Sequence, residues 1–168
     1  LTERPGVSLD IPAGIIVELD KAAIANQHFL TAIQQIQSKS GKDNKQVPGF
    51  ESLEPKKQMA VLEDLYKLQF GRKPDIPKPE LNSEQEDSSR KEKKTAKKSM
   101  EVQWLEAQLR PKFQATDAEL NELAVARGNA VQEALLSNAG LDPSRVFIAN
   151  NIELKEHDGM VRMELQMK

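Results

Sequence analysis

The sequence predicts an α+β fold, in which amphipathic helices pack on a small sheet. Two stretches alternate apolar and polar residues with the period of a half-buried strand, "VSLDI" at residues 7–11 and "MVRMELQMK" at residues 160–168. Between them, apolar residues recur at helical spacing in several long segments. These strand patterns and the helical patterns between them together predict the α+β class.

The bulk composition favours a single α+β domain over residues 1–168, with one segment that does not pack. A length of 168 residues is enough to bury a real core. The charged share of 30% against a hydrophobic share of 38% is polar for a compact domain, so we expect an unpacked stretch. A net charge of -2 gives no global attraction to nucleic acid, and nucleic acid is not an expected partner.

The first strand is interrupted by "PAG" at residues 12–14. The following "IIVEL", residues 15–19, either extends that strand after a kink or forms the second strand of a hairpin. Asp20 can then cap an amphipathic helix that ends near Ser38 and Gly41. The apolar face of this helix contains Ala22, Ala25, Phe29, Ile33 and Ile36.

Two further helices and a linker are predicted after the first helix. Glu54 and Pro55 open a helix that Gly71 ends. Residues 71–99 contain three prolines and dense charges of both signs, so we predict a flexible charged linker there. Helix resumes at Met100 and ends or kinks near Pro111.

The helix after Thr116 carries the most informative residue of the chain. Thr116 and Glu119 have the spacing of a capping box, and the apolar stripe includes Leu120, Leu123 and Val131. Arg127 lies on that same face. Because an unpaired buried guanidinium is costly, Arg127 requires an acidic partner, backbone carbonyls, solvent or a bound anion. We favour an internal salt bridge or a side chain that reaches solvent at the edge of the core, and an anion-binding site is the alternative.

The segment after this helix reads as a turn followed by strands. "LDPSRVFIANN" predicts a turn and a short strand, and "MVRMELQMK" predicts a terminal strand. His157, Asp158 and Gly159 would form the turn between them.

Motifs for catalysis or for a cofactor do not stand out in the sequence. There is no cysteine, and the two histidines, His28 and His157, share no ligand spacing. Nucleotide-binding glycine loops and the nucleophile elbow are missing from the pattern. We therefore expect a protein that is not an enzyme and that uses no metal or other cofactor.

The helix around Arg127 resembles that of OmpA-like domains. "LAVARGNAV" is similar to the family pattern L-S-x-x-R-A-x-x-V, with Leu123 and Arg127 matching it, Ala124 in place of Ser and Gly128 in place of Ala. "GLDPSRV" resembles the family's exit into a strand. The resemblance implies a small sheet of the first strand and two strands near the other end of the chain, packed by helices. Residues 38 to 115 would then form an insertion of helices and linker. In that family an Asp and the Arg hold the diaminopimelate of peptidoglycan. The resemblance implies Arg127 as a ligand-binding residue, with Asp10 or Asp20 replacing an Asp that this sequence lacks at the expected turn.

A longer resemblance covers most of the chain. The order of "ERPGVSLDIPA", "LEDLYKLQFGRKP", the charged linker, "EVQWLEAQLRPKFQATDAELNELAVARGNAVQEALL" and "VRMELQMK" is similar to the C-terminal region of AsmA-related envelope proteins of Gram-negative bacteria, an uncharacterised family with a domain of unknown function. The resemblance implies a periplasmic fragment whose parent has an N-terminal inner-membrane anchor. It also implies a role in outer-membrane assembly or in lipid transport between membranes.

Three functions follow from these observations. The expected one is a non-catalytic periplasmic interaction module of an AsmA-like protein, with an envelope protein as its partner and membrane contact only through the anchor. The first alternative is an OmpA-like peptidoglycan-binding module. The second is a cytosolic helical adaptor.

Overall fold

The computed structural model describes residues 7–40, 49–77, 90–139, 141–150, 154–158 and 160–168. The chain divides into two compact units. We call Leu1–Ile24 with Ala115–Lys168 the sheet unit and Ala25–Gln114 the helical unit. The predicted insertion, 38 to 115, ends where the helical unit ends, but the helical unit begins earlier, inside the first helix.

The described residues form four α-helices and five strands, besides three short 3-10 helices. In sequence they are β1 (Leu9–Ala13), α1 (Val17–Ser40), α2 (Pro55–Phe70), α3 (Arg90–Leu109), α4 (Asp117–Ala139), β2 (Val146–Asn150), β3 (Lys155–His157), β4 (Met160–Arg162) and β5 (Gln166–Met167). The α+β class predicted from the sequence is confirmed.

The sheet unit is organised around β1, whose five residues are all buried. The strand order is β2-β1-β5. β2 runs parallel to β1 along its whole length, from Leu9 opposite Val146 to Ala13 opposite Asn150. β5 runs antiparallel and covers only two positions, Leu9 opposite Met167 and Asp10 opposite Gln166. The first strand therefore does pair with two strands from the other end of the chain, as the sequence predicts.

The prediction of one terminal strand over residues 160–168 is wrong. That stretch contains two short strands, β4 and β5, in different sheets, and residues 163–165 between them form no strand. β4 pairs with β3 as a hairpin, and Asp158 at its turn has a positive φ of 52°. An alternating pattern specifies which residues share a face but not which strand pairs with them. The interruption at residues 163–165 was therefore not predictable from the pattern.

Both predictions for "IIVEL" are also wrong, because α1 begins at Val17. The backbone N–H of Asp20 donates to the Ile16 carbonyl at 2.9 Å, and the Ile16 N–H donates to the Asp20 carboxylate at 2.8 Å. This reciprocal pair satisfies backbone groups at the helix start and outweighs the strand preference of three consecutive β-branched residues.

The helical unit has its own apolar core, supplied by the later part of α1 and by α2 and α3. α2 begins at Pro55 and ends before Gly71, which adopts the left-handed conformation with φ 68°, so both predicted ends of this helix are confirmed. The buried residues of this core are Phe29, Ile33, Phe50, Leu62, Leu65, Tyr66, Val102, Leu105 and Leu109.

The predicted start of helix at Met100 is wrong, since α3 begins ten residues earlier at Arg90. Residues 90–99 of the predicted flexible linker are thus helical, and residues 71–77 form neither helix nor strand. The rest of that segment, residues 78–89, lies outside the described residues. Charge density predicts solvent exposure, but the Lys and Glu side chains that dominate this stretch are also good helix formers. In the described part of the chain, no helix is both long and apolar enough to cross a bilayer.

Candidate functional site

α4 lies against β1 and β2 and carries Arg127. Its first turn has the predicted capping box: the Glu119 N–H donates to the Thr116 hydroxyl at 3.3 Å, and the Thr116 N–H donates to the Glu119 carboxylate at 2.8 Å. One buried residue of α4, Gly128, sits close to the strands. A Cβ atom there would lie 3.1 Å from the Ala13 Cβ and 3.2 Å from the Ile148 Cγ2. This small residue lets the helix approach β1 and β2 closely.

Arg127 makes a bidentate ion pair with Asp20. Its Nη1 donates to Asp20 Oδ2 and its Nη2 donates to Asp20 Oδ1, each at 2.7 Å. The Asp20 side chain is 3% exposed and the Arg127 side chain 23% exposed. Arg127 therefore has the internal acidic partner that its place on the apolar face requires, and the pair joins α4 to the first turn of α1.

The Asp20 carboxylate is held in its charged form. The hydrogen bond from Arg127 lowers the pKa of Asp20 below its ordinary 3.8, and the Ile16 N–H lowers this pKa further, while burial of the carboxylate opposes both. A carboxylate with a lowered pKa and a guanidinium on both of its oxygens is a poor proton acceptor at neutral pH. Its chemistry is that of a charged anchor.

Asp10, the other predicted acid, does not lie with Arg127. It is on β1, and its carboxylate forms an ion pair with the Lys168 ammonium. The Asp10 side chain is 11% exposed, whereas that of Lys168 is 67% exposed. The structure thus brings together two of the three candidate ligand-binding residues, Asp20 and Arg127, and places Asp10 in a separate contact at the β5 side of the sheet.

Arg145 and Lys168 make structural contacts that were not predicted from the sequence. The Arg145 guanidinium donates to the Val7 carbonyl, with Nε at 2.9 Å, and so ties the chain before β2 to the chain before β1. Lys168 reaches back to Asp10. A signal existed for Arg145, which directly precedes a predicted strand, but its acceptor is 138 residues away and no local pattern points to it.

Within the described ranges, no three His, Cys, Asp or Glu side chains are grouped closely enough to hold a metal ion. Comparison with known proteins finds no family model that matches the chain, and no similar curated protein or solved structure. The resemblances to OmpA-like domains and to AsmA-related envelope proteins accordingly stay predictions from the sequence.

Proposed function

We propose that this chain is a non-catalytic interaction module of the periplasm. It would belong to an AsmA-like protein that is anchored to the inner membrane and acts in outer-membrane assembly or in lipid transport between membranes. The observation that carries the proposal is the closed ion pair between Asp20 and Arg127. The envelope location rests on the sequence resemblance alone.

The ion pair argues against catalysis or ligand exchange at this position, because each charged side chain is already bound to the other. Both terminal nitrogens of Arg127 are bound to Asp20, and both Asp20 oxygens accept from Arg127. Opening the pair for a substrate would leave a nearly buried carboxylate without its counter-ion, which costs several kcal/mol. The pair is better suited to fixing α4 against α1 than to binding and releasing a ligand.

A peptidoglycan-binding module is the second candidate, and one observation favours it. An acid and Arg127 are adjacent, which is the chemistry that a diaminopimelate clamp needs, and Arg127 is partly exposed. A zwitterionic ligand could replace each partner by its own opposite charge. The cost is the loss of a bidentate pair that already has ideal distances.

A sedimentation assay with purified sacculi separates the two candidates. We expect the wild-type chain to stay in the supernatant. Arg162→Met, which removes an exposed Arg instead, is the control and should also stay there. Retention of the wild type that Arg127→Met abolishes would instead establish the peptidoglycan module. Circular dichroism of Arg127→Met is needed beside it, so that loss of binding is not confused with loss of fold.

The location is tested with the full-length protein. A reporter fused after residue 168 should be active only if it reaches the periplasm, and in-cell cross-linking should join the chain to an envelope protein. Activity of a cytoplasm-specific reporter at the same position would contradict the proposal and favour the cytosolic adaptor.

A further inference from the structure

The contact between β5 and β1 is short and buries little side-chain surface. β5 has two residues, both exposed, and Met167 is 74% exposed although it lies opposite the buried Leu9. β2, by contrast, covers all five positions of β1. Little apolar surface therefore holds β5 in place, and local opening of a sheet occurs first where few buried contacts resist it.

What attaches β5 is a short ladder and one ion pair. The Ser8 N–H donates to the Lys168 carbonyl at 2.7 Å, and the Lys168 N–H donates to the Ser8 carbonyl at 2.9 Å. Lys168 then reaches diagonally across the strands to Asp10. Since Asp10 is nearly buried, its carboxylate needs a cation whenever this edge of β1 is covered.

We propose that β5 is a displaceable strap over a strand-binding edge of β1. The ligand of that edge is an extended segment of a partner protein that runs antiparallel to β1. This segment places an apolar residue opposite Leu9, where Met167 lies now. The following residue is a Lys or Arg, which forms the ion pair with Asp10 in place of Lys168. This proposal rests on the proposed role as an interaction module, and it names the surface and the chemistry of the partner.

Charge complementarity argues for this occupant. Any strand that replaces β5 must satisfy the same backbone groups of Ser8 and supply a positive charge at the position of Lys168. A strand with an acid there would meet the Asp10 carboxylate with like charge. Because β5 is tethered, it competes at an effective concentration in the millimolar range and keeps weak ligands out.

Hydrogen exchange of the wild-type chain is the first test. The amides of residues 8 and 168 should exchange at least about ten-fold faster than the amide of Ile148 in β2, since local opening needs less free energy than global unfolding. In Lys168→Met these two amides should exchange faster still, with Ile148 unchanged. Equal protection of all three amides in the wild type would overturn the proposal.

Peptide binding is the second test, with a fluorescent peptide of residues 162–168, RMELQMK, as the probe. Lys168→Glu places like charge beside Asp10 and should bind the peptide at least about ten-fold more tightly than the wild type does, because the tethered competitor is released. Lys155→Glu, the same charge change on the exposed strand β3, should behave like the wild type. A peptide with Glu in place of its lysine should not bind.

Equal affinity of the wild type and Lys168→Glu, or no binding to either, would contradict the strap. If circular dichroism shows that Lys168→Glu is unfolded, Lys168→Met is used in its place with the same expected order. Both tests use purified protein, so their failure leaves the envelope location and the sacculus result unaffected.

Discussion

At the scale of single residues, Asp20 is costly to bury, because its side chain is charged and only 3% exposed. Three hydrogen bonds from Arg127 and Ile16 replace the water that it loses. Arg127 depends less on the pair than Asp20 does, because 23% of its side chain is exposed. The cation on the apolar face of α4 is thus neutralised by a carboxylate 107 positions away in the sequence.

Asp20 makes stability depend on acid pH. Its pKa is lowered in the folded protein, so its contribution is fully present above its ordinary value of 3.8 and is lost as the pH falls through the lower folded pKa. Urea unfolding between pH 7 and pH 2 should show the wild type losing stability over that range. Asp20→Asn should be less stable at pH 7 and lose less on acidification.

Asp64→Asn is the control, because Asp64 takes part in an exposed ion pair with Lys67. Its free energy of unfolding should follow that of the wild type with pH. An Asp20→Asn protein with the wild-type pH dependence would show that the ion pair does not couple to folding.

At the scale of elements, the close approach of α4 to the sheet depends on Gly128. A methyl group there would gain about 1 kcal/mol of helix propensity. It would also press on the Cβ of Ala13, which is fixed to the buried strand β1 and cannot rotate away, and such overpacking costs about 1 to 3 kcal/mol. Chemical denaturation should therefore find Gly128→Ala less stable than the wild type.

Asn129→Ala is the matched control on the same helix, because Asn129 is exposed. It should be neutral or slightly stabilising. A Gly128→Ala protein as stable as Asn129→Ala would mean that the helix and the strands are not in close contact.

Elements defined by local chemistry were predictable, and those defined by distant partners were not. The start of α4 was predicted because Thr116 and Glu119, three residues apart, cap it without outside help. The start of α1 was missed because it depends on Asp20, which Arg127 also holds from α4. Likewise, alternation identified residues 160–168 as extended, but the division into β4 and β5 depends on which partner each stretch finds.

At the scale of the whole molecule, the helical unit lies, in the order of the sequence, between the two segments that form the sheet unit. This organisation was predictable once the first strand was expected to pair with late strands, because the segment between those strands then had to be an insertion. The single tryptophan, Trp104, packs at the edge of the helical core and reports on that unit. Both candidate acids were identified from the sequence. Which of them pairs with Arg127 was not predictable, because no local pattern distinguishes Asp10 from Asp20 in this respect.

Truncating the helical core should be costly. Leu105 is fully buried, so Leu105→Ala removes apolar contacts, leaves a cavity and should destabilise the protein by about 2 to 5 kcal/mol. Trp104 fluorescence during urea unfolding measures the loss. Val125→Ala, a truncation at an exposed site, should change the midpoint little, and a comparable loss in both variants would contradict the assigned core.

The most direct measurement of the central claim, that Arg127 is locked internally by Asp20, is a double-mutant cycle at pH 7 with Asp20→Asn, Arg127→Met and the double variant. Arg127→Met strands a carboxylate that is only 3% exposed, and Asp20→Asn leaves a partly buried guanidinium without its partner. We therefore predict a coupling free energy of about 2 to 4 kcal/mol. The double variant should be no less stable than the less stable single variant. A coupling free energy indistinguishable from zero would show that the two charges do not depend on one another.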